Sequence, residues 1–145
     1  MKPAKITIPS PSHTAHIDSS EIVREALKVA IEQRGHDVIG LDFGTESPVA
    51  DFFVIASGTS NRHVQGMADK IEQSLTTLGE RPIHTAGYEN GDWVLLDYGN
   101  VVVHLFYEPQ RHFYRLEELW KNIPRVELSP ELETEAQKYR TGLVD

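Results

Sequence analysis

The sequence predicts one α/β domain of the α+β kind, in which a mixed β-sheet of about five strands is flanked by helices. The periodic segments follow the order α-β-β-α-β-β-β-α, which is typical of a sheet with helices packed on it. Residues 52–56 are apolar at every position, as in a strand that is buried on both faces. Two strongly apolar segments are separated only by Gly99 and Asn100, a pair that favours a two-residue hairpin turn.

The first predicted helix begins near Asp18 and ends at Gly35. Asp18 and Glu21 have the spacing of a capping box, and a glycine commonly follows the last turn of a helix. Strands are predicted at residues 38–43 and 51–57, and the second should be central because it is apolar on both faces. One face of the helix is apolar at Ile22, Val23, Ala26, Leu27, Ala30 and Ile31.

The second predicted helix follows the second strand directly. Gly58 breaks the strand, Thr59 or Ser60 is expected to cap the helix, and Gly79 is expected to end it. A weak strand is predicted next, at residues 82–87, where the leading proline suits a sheet edge or the start of a strand. The apolar face of the helix consists of Val64, Met67, Ala68, Ile71, Leu75 and Leu78.

The strongest strand signals lie at residues 93–98 and 101–107, and short helical turns are expected from Pro109 to Trp120.

These elements divide the chain into three parts. Residues 1–17 are rich in Pro, Ser and Thr and are expected to form a flexible tail. Residues 18–122 form the predicted domain. Residues 123–145 form a C-terminal extension, in which a last helix is expected to start at Ser129 with Pro130 at its first position.

Composition narrows the classes of function. The chain has no cysteine, which excludes disulfides, thiol nucleophiles and thiolate metal sites and suits a reducing compartment. No run approaches the roughly 20 apolar residues of a membrane span, and the N-terminus lacks the features of a secretory signal. A cytoplasmic location is therefore expected.

The charge balance indicates which kind of partner the chain would attract. With 22 acidic and 14 basic residues, the formal net charge is -8. Such a chain gains little from counterion release, so broad direct contact with nucleic acid is not expected. The acidic field favours a basic protein partner, although simple solubility explains the same charge.

The hairpin carries the most functional information. Pairing across Gly99 and Asn100 sets Trp93 opposite Phe106, because side chains alternate with a period of two. One face is then apolar, and the other consists of Trp93, Leu95, Asp97, Val102, His104 and Phe106. Aromatic anchors beside polar groups are typical of a protein–protein interface. The alternative is that a C-terminal helix covers this face and that Asp97 pairs with His104.

Residues expected of an enzyme are not found in the required patterns. Residues 58–63 lead from a strand into a helix and could hold phosphate, but they lack a Walker lysine and a G-x-G-x-x-G pattern. The seven histidines do not form a metal-ligand motif, and no strand has an Asp-x-Asp pair. We therefore expect no catalytic residues, no metal and no cofactor.

Several motifs, in order and with matching spacing, resemble the ribosomal silencing factor family, also called the Iojap-like proteins. The resemblance covers roughly residues 20–121. It is carried by residues 51–64 (DFFVIASGTSNRHV), 91–99 (GDWVLLDYG), 102–106 (VVHLF), 111–114 (RHFY) and 116–120 (LEELW).

The resemblance implies a nucleotidyltransferase-like topology without the catalytic acidic pair. It also implies binding to the fourteenth protein of the large ribosomal subunit at the intersubunit face, which keeps the subunits apart and lowers translation when nutrients are scarce. Combined with the hairpin face, it gives the candidate partner-binding residues Asp92, Trp93, Leu95, Asp97, His104, Phe106 and Tyr114.

Two alternatives stay open. One is a nucleotidyltransferase-like enzyme or nucleotide-binding protein that uses residues 58–63 with Asp97. The other is a homodimer, in which the face that contains Trp93 pairs with itself.

Overall fold

The computed structural model describes residues 17–143, so the expected tail lies outside the described residues except for Ile17. Within this range the chain forms one five-stranded sheet in the order β1-β2-β5-β4-β3, which confirms the predicted fold class. The strands are β1 His36–Asp42, β2 Phe52–Gly58, β3 His84–Ala86, β4 Trp93–Asp97 and β5 Val101–Tyr107. The helices are α1 Ser19–Glu32, α2 Asn61–Thr77, α3 Glu108–Tyr114, α4 Leu116–Leu119 and α5 Pro130–Gln137.

The sheet is mixed because β2 and β5 run parallel, while the other neighbouring strands are antiparallel. The connection between the two parallel strands runs through α2, β3 and β4, and the pair occupies the interior of the sheet. β2 was predicted to be central, and it is an interior strand, although the middle position belongs to β5. β3 is a three-residue, fully exposed edge strand, as its weak signal and leading proline predict.

Two helix ends differ in detail from the sequence prediction. Asp18 is the N-cap of α1, but its side chain makes no capping bond; its backbone oxygen accepts from the amide of Glu21. At the other end, the left-handed residue is Arg34, with φ of 63°. Gly35 is required for another reason: a Cβ there would lie 2.9 Å from the oxygen of Ala30. Of the two expected caps of α2, Thr59 and Ser60, the structure has Ser60, whose hydroxyl accepts from the amide of His63.

Both faces of the sheet are covered. The larger core lies between the sheet and α1 and α2, with Val54, Val103 and Leu105 fully buried in it. A second, smaller core lies on the opposite face, where Phe53 and Phe106 pack under side chains that follow β5. The residues that partly cover this second core are Phe43, Trp93, Val102, Leu116, Trp120, Ile123 and Leu143.

The C-terminal residues close the outer edge of β1. Asp42 donates its amide to the oxygen of Pro124 at 2.8 Å, and Val126 donates to Gly40 at 2.9 Å. Farther along, the buried carboxylate of Asp37 accepts from the amide of Thr141 at 2.9 Å and from its hydroxyl at 2.5 Å. The expected helix is present, and it begins after a Ser129 cap. Residues 123–143 therefore belong to the same packed unit as the sheet. Among residues 17–143, no helix combines the length and hydropathy needed to cross a bilayer.

Candidate functional site

The β4–β5 hairpin has the register that its sequence predicts. Trp93 pairs with Phe106 and Asp97 pairs with Val102, and the amide of Tyr98 donates to the oxygen of Val101 at 2.8 Å. Burial along β4 alternates, so Val94 and Leu96 face the helices while the other three residues face the second core. The three side chains on that second face are Trp93, Leu95 and Asp97, and all are partly exposed.

Two of the candidate partner-binding residues lie beneath the surface. Phe106 is 0% exposed and His104 is 6% exposed, so neither presents area to a partner in this conformation. The sequence predicts both on an open face, and the structure corrects this: side chains from α4 and the residues after it cover that part of the sheet. Phe106 instead packs against Trp93, with 4.8 Å between ring centroids. These two residues can thus support the exposed ones from below.

His104 holds the indole of Trp93 by a hydrogen bond. Trp93 Nε1 donates to His104 Nδ1 at 3.2 Å, so the proton of the neutral imidazole lies on Nε2, which is enclosed and unpartnered among the described residues. Burial lowers the pKa of His104 to about 4, against a smaller opposing effect of Asp97. One alternative from the sequence was a pair between Asp97 and His104. In the structure Asp97 instead accepts a hydrogen bond from the amide of Gly99 at 2.7 Å.

We expect the buried imidazole to make folding stability pH-dependent. Between pH 6.5 and about 4 the unfolded chain binds a proton at His104 that the folded chain does not, so stability falls as the pH falls through this window. The loss reaches about 3 kcal/mol at the lower end, from 1.36 kcal/mol per pH unit. Urea unfolding of the wild type and of His104→Gln at several pH values measures it.

In that experiment the free energy of unfolding of the wild type should fall more steeply with decreasing pH than that of His104→Gln, because the variant lacks the titrating group. His112→Gln, at an exposed position, is the control. Parallel curves for the wild type and His104→Gln would rule out the imidazole as the cause.

α3 adds aromatic side chains beside Trp93. The ring of Tyr114 lies 4.7 Å from that of Trp93, and the ring of Phe113 lies 5.1 Å from that of Tyr114. Tyr114 is 45% exposed and Phe113 is 78% exposed. We call the exposed parts of these residues, with those of β4 and Asp92, the Trp93 surface; its members are Asp92, Trp93, Leu95, Asp97, Phe113 and Tyr114.

Phe113 is a member that the sequence prediction lacks. A seven-residue helix can bury only one of its faces, and α3 uses Arg111 for that purpose. An aromatic residue two positions later must then point elsewhere, which is the signal that could have identified it.

The side chain of Arg111 joins α3 to α4 by a buried ion pair and also attaches α3 to the sheet. Arg111 is 1% exposed, and its Nε donates to Glu117 Oε1 at 2.6 Å. Its Nη1 donates to the oxygen of His36 at 3.2 Å and to the hydroxyl of Ser57 at 3.1 Å. Burial lowers the pKa of Arg111 and the Glu117 carboxylate opposes this, which keeps the guanidinium paired in its charged form. These bonds attach the helix that carries Tyr114 to β1 and β2.

Three backbone amides at the turn before α2 have acceptors within the chain. The amide of Thr59 donates to His63 Nδ1 at 3.0 Å, the amide of His63 donates to Ser60 Oγ at 3.0 Å, and that of Val64 donates to the oxygen of Ser60. An anion that bound to these three amides would have to displace their present bonds. Within residues 17–143, no group of three or more His, Asp or Glu side chains is placed to hold a metal ion.

Comparison with known proteins gives a consistent result. The family described as ribosomal silencing factor during starvation matches residues 16–142, which includes the segment that closes the edge of β1. A ribosomal silencing factor of Halalkalibacterium halodurans is 35% identical over 77% of this chain and 96% of the relative.

Two further similarities extend the comparison. A Mus musculus protein named mitochondrial assembly of ribosomal large subunit protein 1 is 28% identical over 76% of this chain and 50% of the relative. A crystal structure of a Chromobacterium violaceum protein is similar with a TM-score of 0.69 and 32% identity, covering 72% of this chain and 88% of the other.

Proposed function

The chain belongs to the ribosomal silencing factor family, and from that premise we propose that it binds the large ribosomal subunit through the Trp93 surface. The partner in this proposal is the fourteenth protein of that subunit, as the family resemblance implies. The mouse relative, whose name refers to assembly of the ribosomal large subunit, supports the choice of subunit.

The observation that carries the proposal is the composition of the Trp93 surface. Trp93, Tyr114 and Phe113 form a row of neighbouring rings that are partly or largely exposed. Asp92 precedes Trp93 in the chain and Asp97 lies on the same face of β4 as Trp93, and the chain has a formal net charge of -8. Aromatic anchors bordered by carboxylates suit a partner with an apolar contact area and basic side chains around it.

The proposed mechanism is occupancy of the intersubunit face. A chain bound there would prevent the small subunit from joining, and translation would fall, as the family resemblance implies for nutrient limitation. No bond is made or broken in this mechanism, so it requires only affinity and position.

Sedimentation tests this function directly. The purified chain is mixed with separated large and small subunits, and each mixture is resolved on a sucrose gradient. We expect the chain to co-sediment with large subunits only and to reduce the amount of joined subunits when both are present. Retention on small subunits, or even distribution through the gradient, would contradict the proposal. Ile83→Ala, which changes a 76% exposed apolar residue outside the Trp93 surface, is the control and should behave as the wild type.

A further inference from the structure

We propose that Asn61 and Gln65 on α2 are positioning residues, which hold the loop of residues 87–92 so that Asp92 and Trp93 are presented correctly to the partner. This inference rests on the proposed function, because it deepens the account of the same surface. It also assigns a role to the first turn of α2, which would bind phosphate under the nucleotide-binding alternative.

Two side chains one helical turn apart bind the loop. Asn61 Nδ2 donates to the oxygen of Asn90 at 3.1 Å and to Asp92 Oδ1 at 2.6 Å. Gln65 Nε2 donates to the oxygens of Tyr88 and Glu89 at 2.7 and 3.1 Å. Residues four apart on a helix share a face, so the two amides act on the loop as one unit.

The loop is also in direct contact with the helix backbone and with Trp93. Gly91 has φ of 72°, and a Cβ there would lie 2.9 Å from the oxygen of Asn61. Gly87 has φ of 80°, and a Cβ there would lie 2.0 Å from the oxygen of Trp93. Each glycine therefore permits both a left-handed backbone and a close approach. The amide of Gly91 donates to the oxygen of Gly87 at 3.0 Å and closes the loop.

The start of β4 needs this support because it is paired with a neighbouring strand on one side only. On one side, β5 continues past Trp93, and the amide of Tyr107 donates to the oxygen of Asp92 at 2.9 Å. On the other side, the pairing of β3 ends at Ala86 and Leu95. The α2 amides hold the backbone that leads into β4 on this second side. A shift of this backbone would move Asp92 and Trp93 together, since they are adjacent in the chain.

The test replaces Gln65 by glutamate and compares it with a matched variant. Gln65→Glu keeps the side-chain size but places a carboxylate against two carbonyl oxygens, so the bonds to Tyr88 and Glu89 should be lost. Gln73→Glu makes the same change of charge at an exposed position on the same helix, beyond the residues that bind the loop. Asn61→Ala is the second test variant, because it removes the other amide without adding charge.

Three measurements are made on each variant: affinity for isolated large subunits, thermal unfolding and amide hydrogen exchange. We expect Gln65→Glu and Asn61→Ala to bind about tenfold more weakly, which corresponds to about 1.4 kcal/mol. Faster exchange should be confined to residues 88–93, and the melting temperature should change little. Gln73→Glu should match the wild type in all three measurements.

Two results would overturn the proposal. One is wild-type affinity in both test variants. The other is a loss of affinity accompanied by faster exchange throughout β4 and β5, which would indicate general destabilisation. If the wild type itself does not bind large subunits, the proposed function fails; unchanged exchange of residues 88–93 in Gln65→Glu contradicts the positioning role, so the two failures are distinguishable.

Discussion

Trp93→Ala is expected to weaken binding to the large ribosomal subunit by about thirtyfold or more. Truncation of a central aromatic anchor typically costs about 2 kcal/mol of binding free energy, which is about thirtyfold in affinity. The indole is the centre of the Trp93 surface, with the rings of Phe106 and Tyr114 within 5 Å of it. Affinity is measured by titration with isolated large subunits.

The same substitution should also lower the free energy of unfolding. Trp93 is partly buried on the second core and donates a hydrogen bond to His104, so its removal leaves a cavity and an unpaired imidazole nitrogen. Full burial would give a loss of about 3–5 kcal/mol, and partial burial gives about 2 kcal/mol. Urea unfolding measures this, and it shows whether the protein is still folded under the binding conditions.

Phe113→Ala separates binding from stability. Phe113 is 78% exposed, so its replacement should change the unfolding free energy by less than about 0.5 kcal/mol while weakening binding. Ile83→Ala is the matched control, because Ile83 is 76% exposed and lines a groove with Ile22 and Tyr98 on the helix side of the sheet. Equal affinity of the Phe113 and Ile83 variants would contradict the assignment of the Trp93 surface.

Arg111→Met is expected to destabilise the fold by about 3–5 kcal/mol. The substitution leaves the Glu117 carboxylate buried without its cation, and the loss of one partner of a buried pair has a cost of this size. It also removes the bonds to His36 and Ser57 that attach α3 to the sheet. Because α3 carries Tyr114, binding to the large subunit should fall as well. Thermal unfolding is the direct measurement.

Two further variants identify the cause of that loss. Replacing both Arg111 and Glu117 by Met removes the uncompensated charge, so the double variant should be more stable than Arg111→Met. Arg115→Met removes only exposed interactions, namely the pair with Glu118, whose charged atoms are 3.8 Å apart, and the bond from Arg115 Nε to the oxygen of His112 at 3.2 Å. It should therefore change the stability by less than about 0.5 kcal/mol. If the double variant is no more stable than Arg111→Met, the buried charge is not the cause.

Much of the fold follows from local pattern. The register of the hairpin follows from a two-residue turn and the alternation of side chains, and β4 and β5 pair as expected. The Ser60 cap and the Ser129 cap follow from hydroxyl side chains at helix starts. The C-terminal end of α1 was harder to predict. Arg34 adopts the left-handed conformation, and Gly35 is needed because its backbone lies close to Ala30.

The candidate site was only partly predictable, because burial depends on what the rest of the chain covers. The alternation along β4 identifies Trp93, Leu95 and Asp97 as one face, but it does not say which parts of that face α4 and the residues after it will cover. Phe106 and His104 belong to the same face by pattern and lie beneath it in the fold. Arg111 and Glu117 are charged, and charged residues are rarely buried unless they are paired. Their pairing joins α3 to α4 and to two strands.

The order of elements, the hairpin register, the acidic charge and the family resemblance follow from the sequence alone, because each depends on residues close in the chain or on composition. The exposure of the aromatic residues, the burial of His104 and the identity of the side chains that hold the loop before Trp93 depend on how the chain folds. These features depend on contacts between distant segments. Asn61 meets Asp92 across 31 positions and Arg111 meets Ser57 across 54, separations at which local periodicity carries no information.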